Sequence, residues 1–307
     1  MRAITYSQYG TPDTLSLTDV PDPRVGPGEV LIRVRSASVN PVDWKVAAGY
    51  LDPLMQVDFP AIPGWDVAGV VEAVGLDTPE YAVGDEVIAY ARKDWVQHGT
   101  FAELVAAPVR TVARKPQSLD WNQAAGLPLA GLTAYQLLTR LGTKVGDTVL
   151  VHAAAGGVGI LAVQIAKALG ARVIGTASEA NHEFLRGFGA EPVSYADGLA
   201  ERVRDLAPEG VDVVVDFVGG VLETTQAVLK EGGRHGSITD GTVAEAGGIS
   251  AWVRPSSDDL QALADLADAG RLTVPVAEVF PLEDVAKAFE LSQGGHVRGK
   301  IAIEVSR

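Results

Sequence analysis

No cysteine occurs among the 307 residues. Disulfides are therefore excluded, and so is any metal site built on thiolates. Long apolar runs are missing as well: nothing approaches the ~18 consecutive apolar residues of a membrane-spanning helix. Cations are scarce, with 25 Lys and Arg against 39 Asp and Glu, a formal net charge of -14. Such a surface repels nucleic-acid phosphates and anionic membranes, a local basic patch being the one exception. Met1-Arg2-Ala3-Ile4-Thr5-Tyr6 runs straight into a strand pattern without the apolar segment or cleavage site of a leader, so a soluble cytoplasmic protein is expected. The histidines at 98, 152, 182, 235 and 296 never fall at metal-ligand spacing. No Gly-x-Ser-x-Gly elbow is present, which disfavours a hydrolase.

What is present centres on Thr148 to Gly159, Thr-Val-Leu-Val-His-Ala-Ala-Ala-Gly-Gly-Val-Gly. A short β-branched run passes into a turn of small residues. Val158, Leu161, Ala162, Ile165, Ala166 and Leu169 then recur at helical spacing. The turn reads Ala154-x-Gly156-x-x-Gly159, a dinucleotide-binding fingerprint with Ala in its first place. Gly156 would let backbone approach a pyrophosphate, and Gly159 would let helix pack on strand. The helix N-terminus would offer free N–H groups and partial positive charge to the phosphates.

The chain is long enough for two domains, and 47% hydrophobic residues suffice for real cores. Residues 1 to about 121 read as short strands, at 2–6, 14–19, 29–39, 66–74, 85–90 and 101–107, separated by Gly/Pro/Asp turns. From 122 to 270 strands alternate with helices: strands at 148–152, 172–176, 192–195, 211–217 and 233–238, helices at 158–169, 179–188, 199–206 and 221–229. That is a run of β-α-β units, hence a parallel sheet covered on both faces. A further strand is expected at 250–253 and a helix at 258–269. The tail returns to the first style, with strand 272–279, helix 282–291 and strand 300–305. The simplest architecture inserts a nucleotide domain, 122–270, into a β-rich domain made of 1–121 and 271–307.

Candidate chemistry sits at few places. Asn40-Pro41-Val42-Asp43-Trp44-Lys45 follows a strand directly, with Asn40 suited to an N-cap and Pro41 to a first turn. It is either a capped helix start or a catalytic edge carrying Asn40 and Lys45. Asp66, in Pro63-Gly64-Trp65-Asp66, is either a buried carboxylate fixing its turn through backbone N–H groups or an acid catalyst; no second carboxylate or His lies nearby in sequence. Thr133 offers a hydroxyl at a helix start, and His152 reads as structural. An NAD-preferring site places Asp or Glu at the end of the second nucleotide strand. Here that strand ends Ile174-Gly175-Thr176-Ala177-Ser178, small and neutral, so nothing there repels a 2′-phosphate. Ser178, Asn181 and His182 are candidate donors; Glu179 opposes this if it points inward, and the loop has no Lys or Arg.

Together these stretches resemble the medium-chain dehydrogenase/reductases, and within them the zinc-independent quinone oxidoreductases of the zeta-crystallin type. The resemblance covers essentially the whole chain. It rests on Asn40-Pro-Val-Asp43, Pro63-Gly-x-Asp66-x-x-Gly69-x-Val71, Gly84-Asp-x-Val87, Gly131-Leu-Thr-Ala-Tyr135 and Ala154-x-Gly156-Gly-Val-Gly159, in that order. The family's zinc branch carries Cys at the first of these and a His-Glu pair at the second; Asn40-Pro-Val-Asp43 and Gly64-Trp-Asp66 depart from both. The resemblance implies an α/β fold, a Rossmann-type doubly wound parallel sheet inserted in a GroES-like β-rich domain.

The activity implied is metal-free, NADPH-dependent hydride transfer to a quinone or to the C=C of an α,β-unsaturated carbonyl. Lys45 stands where some relatives carry Tyr, and would stabilise the enolate oxygen or relay a proton. Asn40 and Thr133 are expected near the nicotinamide, and Gly156, Gly157 and Val158 at the pyrophosphate. Thr176, Ser178, Asn181 and Tyr195 are expected at the adenosine-phosphate end. Val218 and Thr239 would border the cofactor from later strand ends, and Trp252, Val253 and Arg254 would flank the nicotinamide amide. Lys300, in Arg298-Gly299-Lys300, either reaches the phosphates or belongs to an ordinary turn. The strand near 250–254 implies a homodimer. The alternative is an NADPH-binding structural or regulatory protein with little turnover.

Overall fold

A computed structural model describes residues 1–306. Two compact units emerge: residues 1–132 with 255–306, and residues 133–254.

In the first unit the alternation of Val30, Ile32 and Val34 drives one face of the long strand Glu29–Val39 into a core. That strand pairs antiparallel with Asp66–Val74, Leu104–Pro108 and Lys300–Glu304. The resulting seven-stranded sheet continues through Glu86–Tyr90 to Val112–Arg114 on one side and ends at Val276–Pro281 on the other. Phe101, Phe289, Val67, Val87 and Ile303 fill the space beneath it. Two strands absent from the sequence reading, Val57–Ile62 and Val96–His98, pair parallel as a small separate sheet. Trp121–Ala125, assigned by sequence to the middle domain, packs on Glu29–Val39 and Asp66–Val74 of this unit, and Ser257–Asp268 packs on Val112–Arg114. Their apolar faces are buried here; sequence order alone gave no hint of it.

The second unit is a six-stranded parallel sheet in the order Glu191–Ser194, Arg172–Ala177, Thr148–Val151, Val211–Asp216, Leu229–Ser237, Ile249–Ser250. The central strands Thr148–Val151, Arg172–Ala177 and Val211–Asp216 read as nearly continuous apolar runs because both of their faces are covered, whereas the outer strands Glu191–Ser194 and Leu229–Ser237 carry polar residues. Leu150, Ile174, Val193, Val203, Val214 and Val228 form one core cluster. The order reverses at Thr148–Val151, which places a topological switch point at the glycine turn.

Candidate active site

The turn after Thr148–Val151 is held in an unusual backbone state. Ala153 adopts φ 53, a left-handed conformation that costs a non-glycine residue energy. Thr176 compensates twice: its Oγ1 accepts the Ala153 N–H (3.1 Å) and its carbonyl accepts the Ala154 N–H (3.0 Å). Thr176 is 2% exposed. Its hydroxyl therefore shapes the turn rather than presenting itself to a ribose.

The two glycines differ in what demands them. A Cβ on Gly159 would fall 2.2 Å from the Ala153 carbonyl, so helix-to-strand packing requires glycine there. A Cβ on Gly156 would meet only that same carbonyl, at 3.3 Å, and its φ is an ordinary −75. A side chain at 156 would thus crowd a single carbonyl, a far milder conflict than the one at Gly159. The helix Gly157–Ala168 follows with Gly156 as N-cap, and its first intrahelical bond comes from Ile160 N–H to the Gly156 carbonyl (2.9 Å). The N–H groups of Gly157 and Val158 precede that bond, as an anion site requires.

Parallel pairing sets Ala177 opposite Ser194, so Ser178 and Tyr195 emerge at neighbouring strand ends. Asn181 donates to Ser178 Oγ (3.3 Å). Two strands away on the other side, Asp216 organises the next pair of ends. Its Oδ1 accepts Val218 N–H (2.8 Å) and Gly219 N–H (2.9 Å), and its Oδ2 accepts Ser237 Oγ (2.7 Å). Ser237 Oγ in turn accepts the Thr239 N–H at 3.1 Å. Val218 and Thr239 are exposed on these turns, and Trp252, also exposed, follows the edge strand with Val253 half-buried beside it. Gln136 brackets Arg254 through both its backbone groups, at 2.9 and 3.0 Å. Thr133 is buried. Sequence reading missed Asp216 and Ser237; a carboxylate ending the run Val211-Asp-Val-Val-Val-Asp216 was the available signal. His152 is 1% exposed, and burial lowers its pKa to about 4 against the pull of Asp216, so it stands neutral.

In the first unit, Asn40 starts the helix Pro41–Ala47, and its backbone N–H donates to Asp43 Oδ2 (2.7 Å). Its amide is wholly engaged inward: Nδ2 donates to Asp66 Oδ2 (2.8 Å), and Oδ1 accepts from Lys300 Nζ (2.6 Å). Asp66 Oδ1 accepts the Leu129 N–H (2.8 Å), a partner 63 residues away rather than its own turn. Lys300 Nζ also lies 3.8 Å from Asp66 Oδ2. Lys300, expected to reach toward phosphates, is 4% exposed and turned into this network. Burial raises Asp66 to about 6, opposed by Lys300, Asn40 and the Leu129 N–H. Burial also holds Asp43 well above the usual carboxylate range, and holds Lys300 below the usual lysine value although both carboxylates pull it up. Lys45 stands apart, half-buried, with its ammonium 5.5 Å from the Trp44 ring centroid. Trp44 is itself fixed by Nε1 donating to Ser292 Oγ (3.2 Å) and by an edge contact with Tyr50.

Residues 26–117 match the family model described as alcohol dehydrogenase GroES-like domain, and residues 188–303 match that described as zinc-binding dehydrogenase. The chain is 36% identical over 313 residues to the NADPH-dependent alkenal/one oxidoreductase of Arabidopsis thaliana, named chloroplastic, covering 99% of this chain and 79% of that protein. The quinone oxidoreductase structure from Coxiella burnetii is 36% identical, with a TM-score of 0.87 over 100% of this chain and 99% of that one. A structure described as an NAD-dependent alcohol dehydrogenase is 34% identical, with a TM-score of 0.90 and full coverage of both chains.

Proposed function

Because the chain belongs to the medium-chain dehydrogenase/reductase family, we propose that it is a metal-free, NADPH-dependent reductase of quinones or of the C=C of α,β-unsaturated carbonyls. The observation that carries this is the likeness over nearly the whole chain to proteins named quinone oxidoreductase and alkenal/one oxidoreductase. The glycine turn fits a dinucleotide: Gly156 presents bare backbone as the N-cap of the helix Gly157–Ala168, whose first N–H groups are free of intrahelical bonds. Bound there, NADPH supplies hydride.

This chain's own residues hold and orient. Gly156, Gly157 and Val158 receive the pyrophosphate. Ser178, Asn181 and Tyr195 receive the adenosine phosphate, where the strand end Thr176-Ala177-Ser178 offers no carboxylate to repel it. Asp216 and Ser237 hold the turns of Val218 and Thr239 along the same edge. Lys45 stabilises negative charge developing on the acceptor oxygen. Asn40 shapes the start of the helix that carries Lys45.

The metal-free reading rests on the missing cysteines and on Asp66, whose oxygens already serve Asn40, Lys300 and Leu129. Among the described residues no group of three His, Asp or Glu is placed to hold a metal. Dimerisation through Ile249–Ser250, a sheet edge with a single neighbour, completes the proposal. A cytoplasmic location also belongs to it, whereas the Arabidopsis relative is named chloroplastic; no helix of the described residues is long and apolar enough to cross a membrane.

The test is loss of NADPH absorbance with a panel of quinones and enones, before and after chelation. Turnover insensitive to chelator is expected. Tight NADPH binding without turnover on any acceptor would favour a structural or regulatory protein. Alcohol oxidation with NAD would replace the reading with that of the alcohol dehydrogenase relative.

A further inference from the structure

Tyr195 sits in a connection, residues 195–198, with no regular structure of its own between the strand Glu191–Ser194 and the helix Leu199–Leu206. One side chain dictates its shape. Arg202 Nε and Nη2 donate to the Ser194 carbonyl (3.3 and 3.0 Å), and Nη1 donates to the Asp197 carbonyl (2.8 Å). Nη2 also donates to the Ala196 carbonyl. One planar guanidinium thus gathers the carbonyl that ends the strand and two from the loop, which the fork geometry of arginine allows and a lysine ammonium does not. Asp197 and Glu201 precede Arg202 closely in sequence, yet among the described residues neither forms an ion pair with it. Gly198, at φ 81, closes the loop as N-cap of the helix.

The loop lies where position matters most. Ligands of a doubly wound sheet bind outside the carboxyl ends of its strands, and Ser178 and Tyr195 occupy two neighbouring ends. Residues 176–182, Thr-Ala-Ser-Glu-Ala-Asn-His, contain no Lys or Arg. The donors this edge offers an anion are hydroxyls, an amide and the His182 imidazole, with no lysine or arginine among them. Neutral donors act through short, directional bonds, so displacing the loop weakens them in a way that would scarcely affect a long-range charge.

We propose that Arg202 is a positioning residue for cofactor choice: it holds loop 195–198 so that Tyr195 and Ser178 together receive the 2′-phosphate of NADPH. The inference rests on the NADPH reading above. Arg202 touches backbone only and takes no part in the hydride step.

The test compares kcat and KM for NADPH and NADH in the wild type, Arg202→Met, Arg202→Lys and Tyr195→Ala. Arg202→Met is expected to raise KM for NADPH about tenfold, the equivalent of one hydrogen bond to a charged group, with kcat and KM for NADH unchanged. Arg202→Lys keeps the charge without the fork and should behave like the Met variant. In a Tyr195→Ala background Arg202→Met should add nothing to the NADPH/NADH ratio. Rescue by Lys, or an unchanged ratio in both Arg202→Met and Arg202→Lys, overturns the clamp while leaving the NADPH reading intact. Equal loss for both cofactors makes Arg202 a general structural residue and also overturns it. A wild type indifferent between NADPH and NADH overturns the NADPH reading itself and the clamp's role with it. Should Arg202→Met fail to fold, the Lys and Tyr195→Ala variants still decide between these results.

Discussion

Replacing Lys300 by Met isolates what the buried ammonium does. In the folded protein Nζ bonds Asn40 Oδ1 at 2.6 Å and faces Asp66 at 3.8 Å, with Lys300 4% and Asp66 0% exposed. Two losses follow from removing it. Asn40 Oδ1 is left buried without a donor, at a cost of about 1–2 kcal/mol that does not depend on pH. Asp66 loses its cation and must take up a proton to remain buried. A carboxyl whose folded pKa exceeds its unfolded one binds more protons when folded. Its contribution is complete below the unfolded value, near 4, and drains as pH rises to the folded value. In the wild type the drain stops at about 6, where Lys300 lets Asp66 ionise. In Lys300→Met it continues upward at about 1.4 kcal/mol per pH unit, or roughly 3 kcal/mol by pH 8. The total at pH 8 is then about 4 kcal/mol, the range for breaking a buried ion pair, against 1–2 kcal/mol at pH 6. The assay is urea unfolding at several pH values, followed by tryptophan fluorescence, since Trp44, Trp65, Trp95 and Trp121 all lie in the first unit. A loss that does not grow between pH 6 and 8 refutes the ion-pair argument. An unchanged stability with a raised KM for NADPH would return Lys300 to the phosphate role suggested by sequence.

Asp43→Asn should be nearly neutral, within about 1 kcal/mol of wild type at pH 7, because an amide mimics the protonated acid that burial favours at Asp43; a loss above about 3 kcal/mol in the same urea assay would mean an ionised Asp43. Ser178→Asp should move the kcat/KM preference from NADPH toward NADH by about tenfold or more through repulsion of the 2′-phosphate, and no movement would place that phosphate elsewhere. Thr176 is the wrong residue for this experiment, since its hydroxyl holds Ala153. Lys45→Ala should lower kcat by about 10²-fold, leaving NADPH affinity unchanged in a fluorescence titration; wild-type kinetics would reduce it to a lysine resting on Trp44.

Local pattern was enough for the nucleotide unit. Its central strands are apolar runs that alternate with helical patterns, so the parallel sheet and the turn at Gly156–Gly159 follow from short-range periodicity and the sterics of glycine. The absence of cysteine excluded thiolate metal sites from sequence alone. Contacts between distant segments obey no such local rule. Pairing of Val57–Ile62 with Val96–His98 was invisible because neither run is long or strongly alternating. Thr176 read as a neutral strand end; only the fold brings its hydroxyl to an alanine 23 residues earlier. Lys300 read as a residue reaching the phosphates or as part of an ordinary turn before the last strand. Tertiary structure reversed that, because Lys300–Glu304 pairs with Glu29–Val39 and so carries the ammonium to Asn40 and Asp66. The sequence by itself determined that a dinucleotide turn exists and that no thiolate metal site serves it. Which polar groups remain turned outward, and which neutralise one another inside, was decided only when strands from opposite ends of the chain paired, because burial and charge pairing depend on neighbours in space.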